Sequence, residues 1–348
     1  MIPRDLNSIS RDWLSAALQV PVTNFTVVDA HAGTTGRALL ALNYGEAADL
    51  PERLFVKFPP TDEQQRQFVT SSGMGRREAL FYNSLAAELP VRVPRSYFAT
   101  SDEAGDAYII LMENLVDSGC TFRNASKRYS LDYIREILAA FARLHATYWA
   151  SPRFASDLAW VQPPVQHDIG VKLIALALQK HAASMPGVFK KMGELYLAQT
   201  DAIHSLWLRG EPTLIHGDVH DGNMFYDASQ PGFLDWAMVS RGPAMRDVGY
   251  FLAGTLTPQD QRDSGRDLLR YYREQLLALG VSAPSEAELW QQYQWHAAYV
   301  WMGAAVTLAM GDEWQPVNYL MASMERLHGA LDTLGSVDAI RVALSFAV

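Results

Sequence analysis

A chain of 348 residues, 49% hydrophobic and 19% charged, has the makeup of a soluble globular protein long enough for one large domain or two lobes. Its formal net charge of -9 argues against a nucleic-acid footprint or attraction to anionic membrane, and a single cysteine, Cys120, excludes an internal disulfide and a multi-cysteine metal site. The first residues contain no apolar signal core, and the longest apolar run, from Ala297, is too short to span a bilayer, so a cytoplasmic protein is expected.

Ser10 precedes an amphipathic pattern at Trp13, Leu14, Ala17 and Leu18, which predicts a short opening helix. From Phe25 to Phe58 three strand-like runs are separated by Gly33-Thr34-Thr35-Gly36 and by a polar turn from Gly45 to Arg53. Glu78, Phe81, Tyr82, Leu85, Ala86 and Leu89 trace one face of a helix, and further strands are expected at Ser96-Phe98 and Ala107-Met112. Beyond about Leu115 the texture turns helical. Ser130 caps a long amphipathic helix that Ser151-Pro152 stops, and helices are expected over residues 170–184 and 188–209. Three more are expected over 259–279, 286–310 and 316–334, with Ser285 and Glu288 forming a capping box. The fold class read from this order is α+β and bilobal: a small β-rich N-lobe over residues 1–115, joined at about Glu113 to a helical C-lobe over 116–348.

The most informative segment runs from Leu214 to Trp236. Leu214 and Ile215 end a buried strand and deliver the polar loop His216-Gly217-Asp218-Val219-His220-Asp221-Gly222-Asn223. Met224-Phe225-Tyr226, a turn, and Phe233-Leu234 then lead to Asp235. The D-x-x-x-x-N spacing of Asp218 and Asn223, followed by Asp235 after a strand, suits phosphoryl transfer. One carboxylate meets the acceptor hydroxyl, while a second carboxylate and an amide oxygen hold Mg²⁺ on nucleotide phosphates.

This segment resembles the catalytic loop of the aminoglycoside phosphotransferase and choline kinase group, which shares the protein-kinase-like fold, and within it the bacterial relatives of ecdysteroid kinases. Lys57 in LFVKFPP, Glu78 in RREALFYNSLA, Pro94 in VRVPRSYFA, Leu144-His145-Ala146 in RLHATYW and Asp247 in GPAMRDVGYFL fall in that group's order. The resemblance implies an ATP- and Mg²⁺-dependent kinase acting on a hydroxyl of a small molecule. Asp218 would be the catalytic carboxylate, with Asn223 and Asp235 as the metal ligands. Lys57 would meet the nucleotide phosphates, paired with Glu78; Gly33, Thr34, Thr35 and Gly36 would cover them; Glu113, Asn114 and Leu115 would offer backbone groups to the adenine. His216 and Asp247 would steady the loop, and His145 reads as a satisfied core histidine.

The acceptor is less legible. Trp290, Trp295, Tyr299, Trp301 and Trp314 form an aromatic stripe that core packing explains; any part that lined the site would suit an apolar or aromatic alcohol, or a cation. Acidic residues near the C-terminus (Glu286, Glu288, Asp312, Glu313, Glu325) are too scattered for a polycation such as an aminoglycoside. Two alternatives compete: a metal-dependent phosphohydrolase using His216, Asp218 and His220, and a nucleotide-binding protein without catalysis.

Overall fold

The structure, a computed structural model, describes residues 1–31, 33–45, 47–123, 129–164, 166, 168–311 and 317–346. Ser10 accepts a hydrogen bond from the Trp13 amide and opens helix α1 (Arg11–Leu18), which buries Leu14 and Leu18. Strands β1 (Val22–His31), β2 (Gly36–Tyr44) and β3 (Arg53–Phe58) follow, then α2 (Glu63–Ser72), α3 (Met74–Ser84), β4 (Ser96–Ser101) and β5 (Tyr108–Glu113). The five strands form one sheet in the order β1-β2-β3-β5-β4, every neighbouring pair antiparallel. Strand alternation puts Ala38, Leu40 and Leu42 of β2 and Leu54, Val56 and Phe58 of β3 in one apolar core with Leu14 and Leu18 of α1. Lys57 falls on the opposite face of β3.

The remainder is mainly helical: α4 (Leu131–Thr147), α5 (Asp168–His181), α6 (Gly187–Ala198) and α7 (Thr200–Leu206). Short strands interrupt it, β6 (Pro212–Ile215), β7 (Met224–Asp227), β8 (Gln230–Phe233) and β9 (Ser240–Pro243). After them come α8 (Met245–Thr255), α9 (Pro258–Ala278), α10 (Glu286–Met310), α11 (Val317–Leu334) and α12 (Ser336–Ser345). The Ser285–Glu288 capping box forms at the start of α10, as its spacing predicts. Helix α10 packs against α5, α8, α11 and α12, which explains why it is apolar around most of its circumference.

The expected fold class, an antiparallel N-terminal sheet followed by a helical C-terminal region, is the one observed. Four departures from expectation stand out. The helix expected over 188–209 is two, α6 and α7, because Gln199 leaves helical geometry (φ -136°, ψ 32°). Helix α2 carries the polar sequence EQQRQFVTSS and buries only Gln65 and Val69, too few apolar positions to mark a face. Helices α8 and α12 are likewise not among those expected.

Two compact units result, each built from two stretches of chain. The first joins Met1–Arg123 to Gly222–Val239, and the second joins Asn124–Asp221 to Ser240–Val348. In the first, the β7–β8 hairpin is tied to the N-terminal stretch by Thr121 pairing with Tyr226 and Arg92 with Gly232. In the second, β6 pairs antiparallel with β9, so the chain leaving Ile215 lies beside the start of β9 at Ser240, and Pro243, which leads into α8, lies beside Pro212.

Candidate functional site

In the first unit, antiparallel register sets the geometry. Lys57 on β3 lies opposite Arg37 on β2, so two cations share one level of the sheet. Lys57 is only 3% exposed, and its Nζ donates to Glu78 Oε1 at 2.8 Å, Glu78 Oε2 at 2.6 Å and Asp235 Oδ1 at 2.9 Å. Arg37 reaches Asp235 Oδ2 at 3.4 Å and the Thr35 hydroxyl at 3.4 Å. Burial alone would lower the Lys57 ammonium, but Asp235 and Glu78 outweigh it and hold it above the usual lysine range. Lys57 is therefore a cation at neutral pH. Burial is also the largest influence on Glu78, pushing its carboxyl up against the pull of Lys57.

The β7–β8 hairpin brings the expected metal ligands to one end. Met224 pairs with Phe233, and the Leu234 amide donates to the Asn223 carbonyl at 3.0 Å, so Asn223 and Asp235 flank the same open end, away from the turn. Asn223 is buried. Asp235 adopts a left-handed conformation (φ 62°, ψ 66°), uncommon for a non-glycine residue and held by its surroundings. Trp236 supplies that support. Its ring stacks on Phe81 of α3 at 4.4 Å and its indole donates to the Phe233 carbonyl at 3.0 Å. Phe81 lies one turn beyond Glu78 on α3, so one helix face positions both the carboxylate partner of Lys57 and the ring behind Asp235.

The Gly33-Thr34-Thr35-Gly36 segment connects β1 to β2, with Thr35 buried against Arg37. A Cβ on Gly36 would collide with the Phe58 ring, so only glycine lets β2 pass there. At the end of β5 the Glu113 carboxylate accepts from the Arg95 amide, the Ser118 hydroxyl and the Arg92 guanidinium. Burial would raise that carboxyl, but these donors hold it below the ordinary glutamate range. The Asn114 and Leu115 carbonyls accept from the Ser118 and Cys120 amides within the following turn.

The second unit holds the loop that carries Asp218. Gly217 has φ 84°, a left-handed turn that a side chain would strain, and it sends the chain sharply out of β6. Asp247, in the first turn of α8 and fully buried, accepts from the His216 amide at 2.7 Å and the Gly217 amide at 2.9 Å. A carboxylate there also meets the positive end of the helix dipole. His145 adds a contact to Asp247 at 3.4 Å and hydrogen-bonds the Tyr272 hydroxyl at 2.8 Å, the satisfied core histidine its sequence context suggests. Tyr250, one turn after Asp247 on α8, donates to Asp218 Oδ1 at 3.0 Å and fixes the carboxylate's orientation. His220 Nε2 lies 3.6 Å from Asp218 Oδ2.

The structure thus brings Lys57, Glu78 and Asp235 into direct contact and puts Asn223 at the same hairpin end. Sequence reasoning missed Arg37 and Tyr250. The first depends on cross-strand register; the second was readable from its three-residue spacing to Asp247. Among the described residues no group of three histidine, cysteine, aspartate or glutamate side chains could hold a metal ion. Asn223 and Asp235 instead offer hard oxygen donors, the set that suits Mg²⁺. Among the described residues no helix is long and apolar enough to cross a membrane. Trp295, Tyr299 and Trp301 are buried in the core, while Trp290 stacks under Arg266 at 4.0 Å; Trp314 lies outside the described residues.

Comparison with solved structures defines the class. A protein described as an aminoglycoside phosphotransferase of Ralstonia eutropha JMP134 superposes with a TM-score of 0.56 at 13% identity, covering 93% of this chain and 97% of that one. The GDP complex of aminoglycoside 2'-phosphotransferase-IIIa gives 0.52 at 13% identity, covering 93% and 99%. The fold is that of the protein-kinase-like phosphotransferases. A sequence model described as the phosphotransferase enzyme family matches residues 43–290, and the chain belongs to that family. The methylthioribose kinase of Bacillus velezensis is 28% identical over 92 residues, 26% of this chain and 23% of the relative, so the chain spans less than a quarter of that relative's length.

Proposed function

We propose that the protein is a small-molecule kinase transferring the γ-phosphoryl group of ATP to a hydroxyl of an organic acceptor. The observation that carries this is Lys57, a buried cation held at once by Glu78 from a helix and by Asp235 from a hairpin end. A buried charge cluster of this kind contributes little to stability for its cost in desolvation, and a nucleotide phosphate gives it a purpose. Lys57 and Arg37 would meet the phosphate oxygens. Asn223 and Asp235 would hold Mg²⁺, which supplies charge neutralisation on those oxygens when bound.

Asp218, oriented by Tyr250, would accept the acceptor's hydroxyl proton as that oxygen bonds to the γ-phosphorus. The bond from the γ-phosphorus to the bridging oxygen breaks and ADP leaves. Catalysis is mainly positioning and charge neutralisation, with no covalent enzyme intermediate.

The test is ADP release from Mg²⁺-ATP over a panel of hydroxylated compounds, alongside Asp218→Asn. Acceptor-dependent release that falls on the order of 10²- to 10⁴-fold in the variant is expected. Absence of any thermal stabilisation by Mg²⁺-ATP, expected to be about 2.7 kcal/mol at a hundredfold excess over Kd, would sink the kinase reading.

A further inference from the structure

Arg246, on the first turn of α8, is 4% exposed, and its Nε has no acceptor among the described residues. No carboxylate there lies within ion-pair distance of its guanidinium either. Its face is used: the guanidinium stacks 3.7 Å over the ring of Tyr299. Stacking occupies the face of the guanidinium and not its edge, where the five N–H donors lie, and Nε on that edge has no acceptor among the described residues. Burying a cation in that state is unfavourable, and a bound anion would offset the cost.

The surroundings fit such a ligand. Arg246 lines a cavity of about 320 Å³ together with His204, Ser205, Asp201 and Gln166, a size suited to a small organic molecule. Asp201 is held by Gln166 at 2.9 Å, and His204 shares a hydrogen bond with the Tyr196 hydroxyl at 2.9 Å. Two rings link Arg246 to the loop that carries Asp218. The Tyr299 hydroxyl donates to the Gly217 carbonyl at 3.5 Å, and Tyr250, 6.2 Å from Tyr299 between ring centroids, donates to Asp218.

Resting on the kinase reading above, we infer that the acceptor is a hydroxy acid whose carboxylate is received by the edge of Arg246 while its hydroxyl faces Asp218. A carboxylate fits better than a phosphate or sulfate ester. A guanidinium edge matches its two coplanar oxygens in a bidentate fork, and one arginine balances one negative charge. A dianion would want a second cation, whereas the cavity supplies the carboxylate of Asp201.

The test uses the full-length chain and matched pairs of small hydroxylated compounds, each a carboxylate and its primary amide, at constant ionic strength. Binding is followed by calorimetry for the wild type and for Arg246→Gln. One or more carboxylates should bind, their amides should bind on the order of a hundredfold more weakly, and Arg246→Gln should erase the difference. Amides that bind as well as their acids, a panel in which no carboxylate binds, or carboxylate binding that survives Arg246→Gln would each overturn the inference. The amide arm decides the matter even where the variant folds poorly. Carboxylate binding without any stabilisation by Mg²⁺-ATP would mark failure of the kinase reading instead.

Discussion

Two polar networks, one in each compact unit, are each centred on an aspartate yet do opposite things. In the first, Asp235 and Glu78 are held by the side chains of Lys57 and Arg37, charges that a phosphate can take over. In the second, Asp247 is held by the backbone amides of His216 and Gly217, with His145 and Tyr272 behind it. Backbone donors have no alternative partner and no freedom to leave. A carboxylate bonded by amides therefore shapes the chain, while one bonded by ammonium and guanidinium groups can exchange its partners for a ligand.

The comparison breaks most sharply at Asp247. Asp247→Ala leaves two buried amide donors without acceptors and should cost about 4 kcal/mol in urea unfolding. Lys57→Met should cost somewhat less, about 3 kcal/mol at pH 8, because Glu78 is left buried without its cation. The sign of its pH dependence follows from burial, which already pushes Glu78 up. With the folded value above the unfolded one, the folded state holds the proton more tightly, so stability is fullest at low pH and is lost as pH rises through the folded value. Lys57→Met should accordingly be closer to wild type at pH 5 than at pH 8. A pH-independent deficit would show that the first network is as rigid as the second.

A smaller effect separates the helical core from both networks. Burial lowers His204 to about 4, His296 to about 3 and His328 to about 4, and both ring nitrogens of His296 lack partners among the described residues. These folded values lie below the ordinary 6.5, so the unfolded chain binds protons first on acidification. The stability they contribute is present above about pH 6.5 and is lost as pH falls toward 4, by up to about 1.4 kcal/mol per pH unit for the fully buried His296. His296→Phe should flatten that acid limb in denaturant titrations. An unchanged slope would move the origin of acid sensitivity to the carboxylate networks.

Much of this was legible before the structure because it is written in local chemistry. The capping box at Ser285, the cap at Ser130 and the apolar period of α4 are signals within a few residues of one another. The pairing of Lys57 with Glu78 was expected from the family resemblance, and the structure supplies its distances. What could not be read depends on partners far away in sequence. Arg37 lies opposite Lys57 through strand register, and Trp236 supports Asp235 by stacking on Phe81. Arg246 is ordinary in sequence; its meaning lies in the ring beneath it and the cavity beside it.

The first unit's divided construction also sets a timetable for synthesis. Its sheet is finished by Glu113, but Asp235 and the hairpin that pairs with Thr121 and Arg92 emerge only after about a hundred further residues. At synthesis rates of about 5 to 20 residues per second, the nascent sheet waits roughly 5 to 20 s with Lys57 and Glu78 short of their third partner. The unit cannot mature from its N-terminal stretch alone, and a ribosome that stalls within the helical region holds a half-built one.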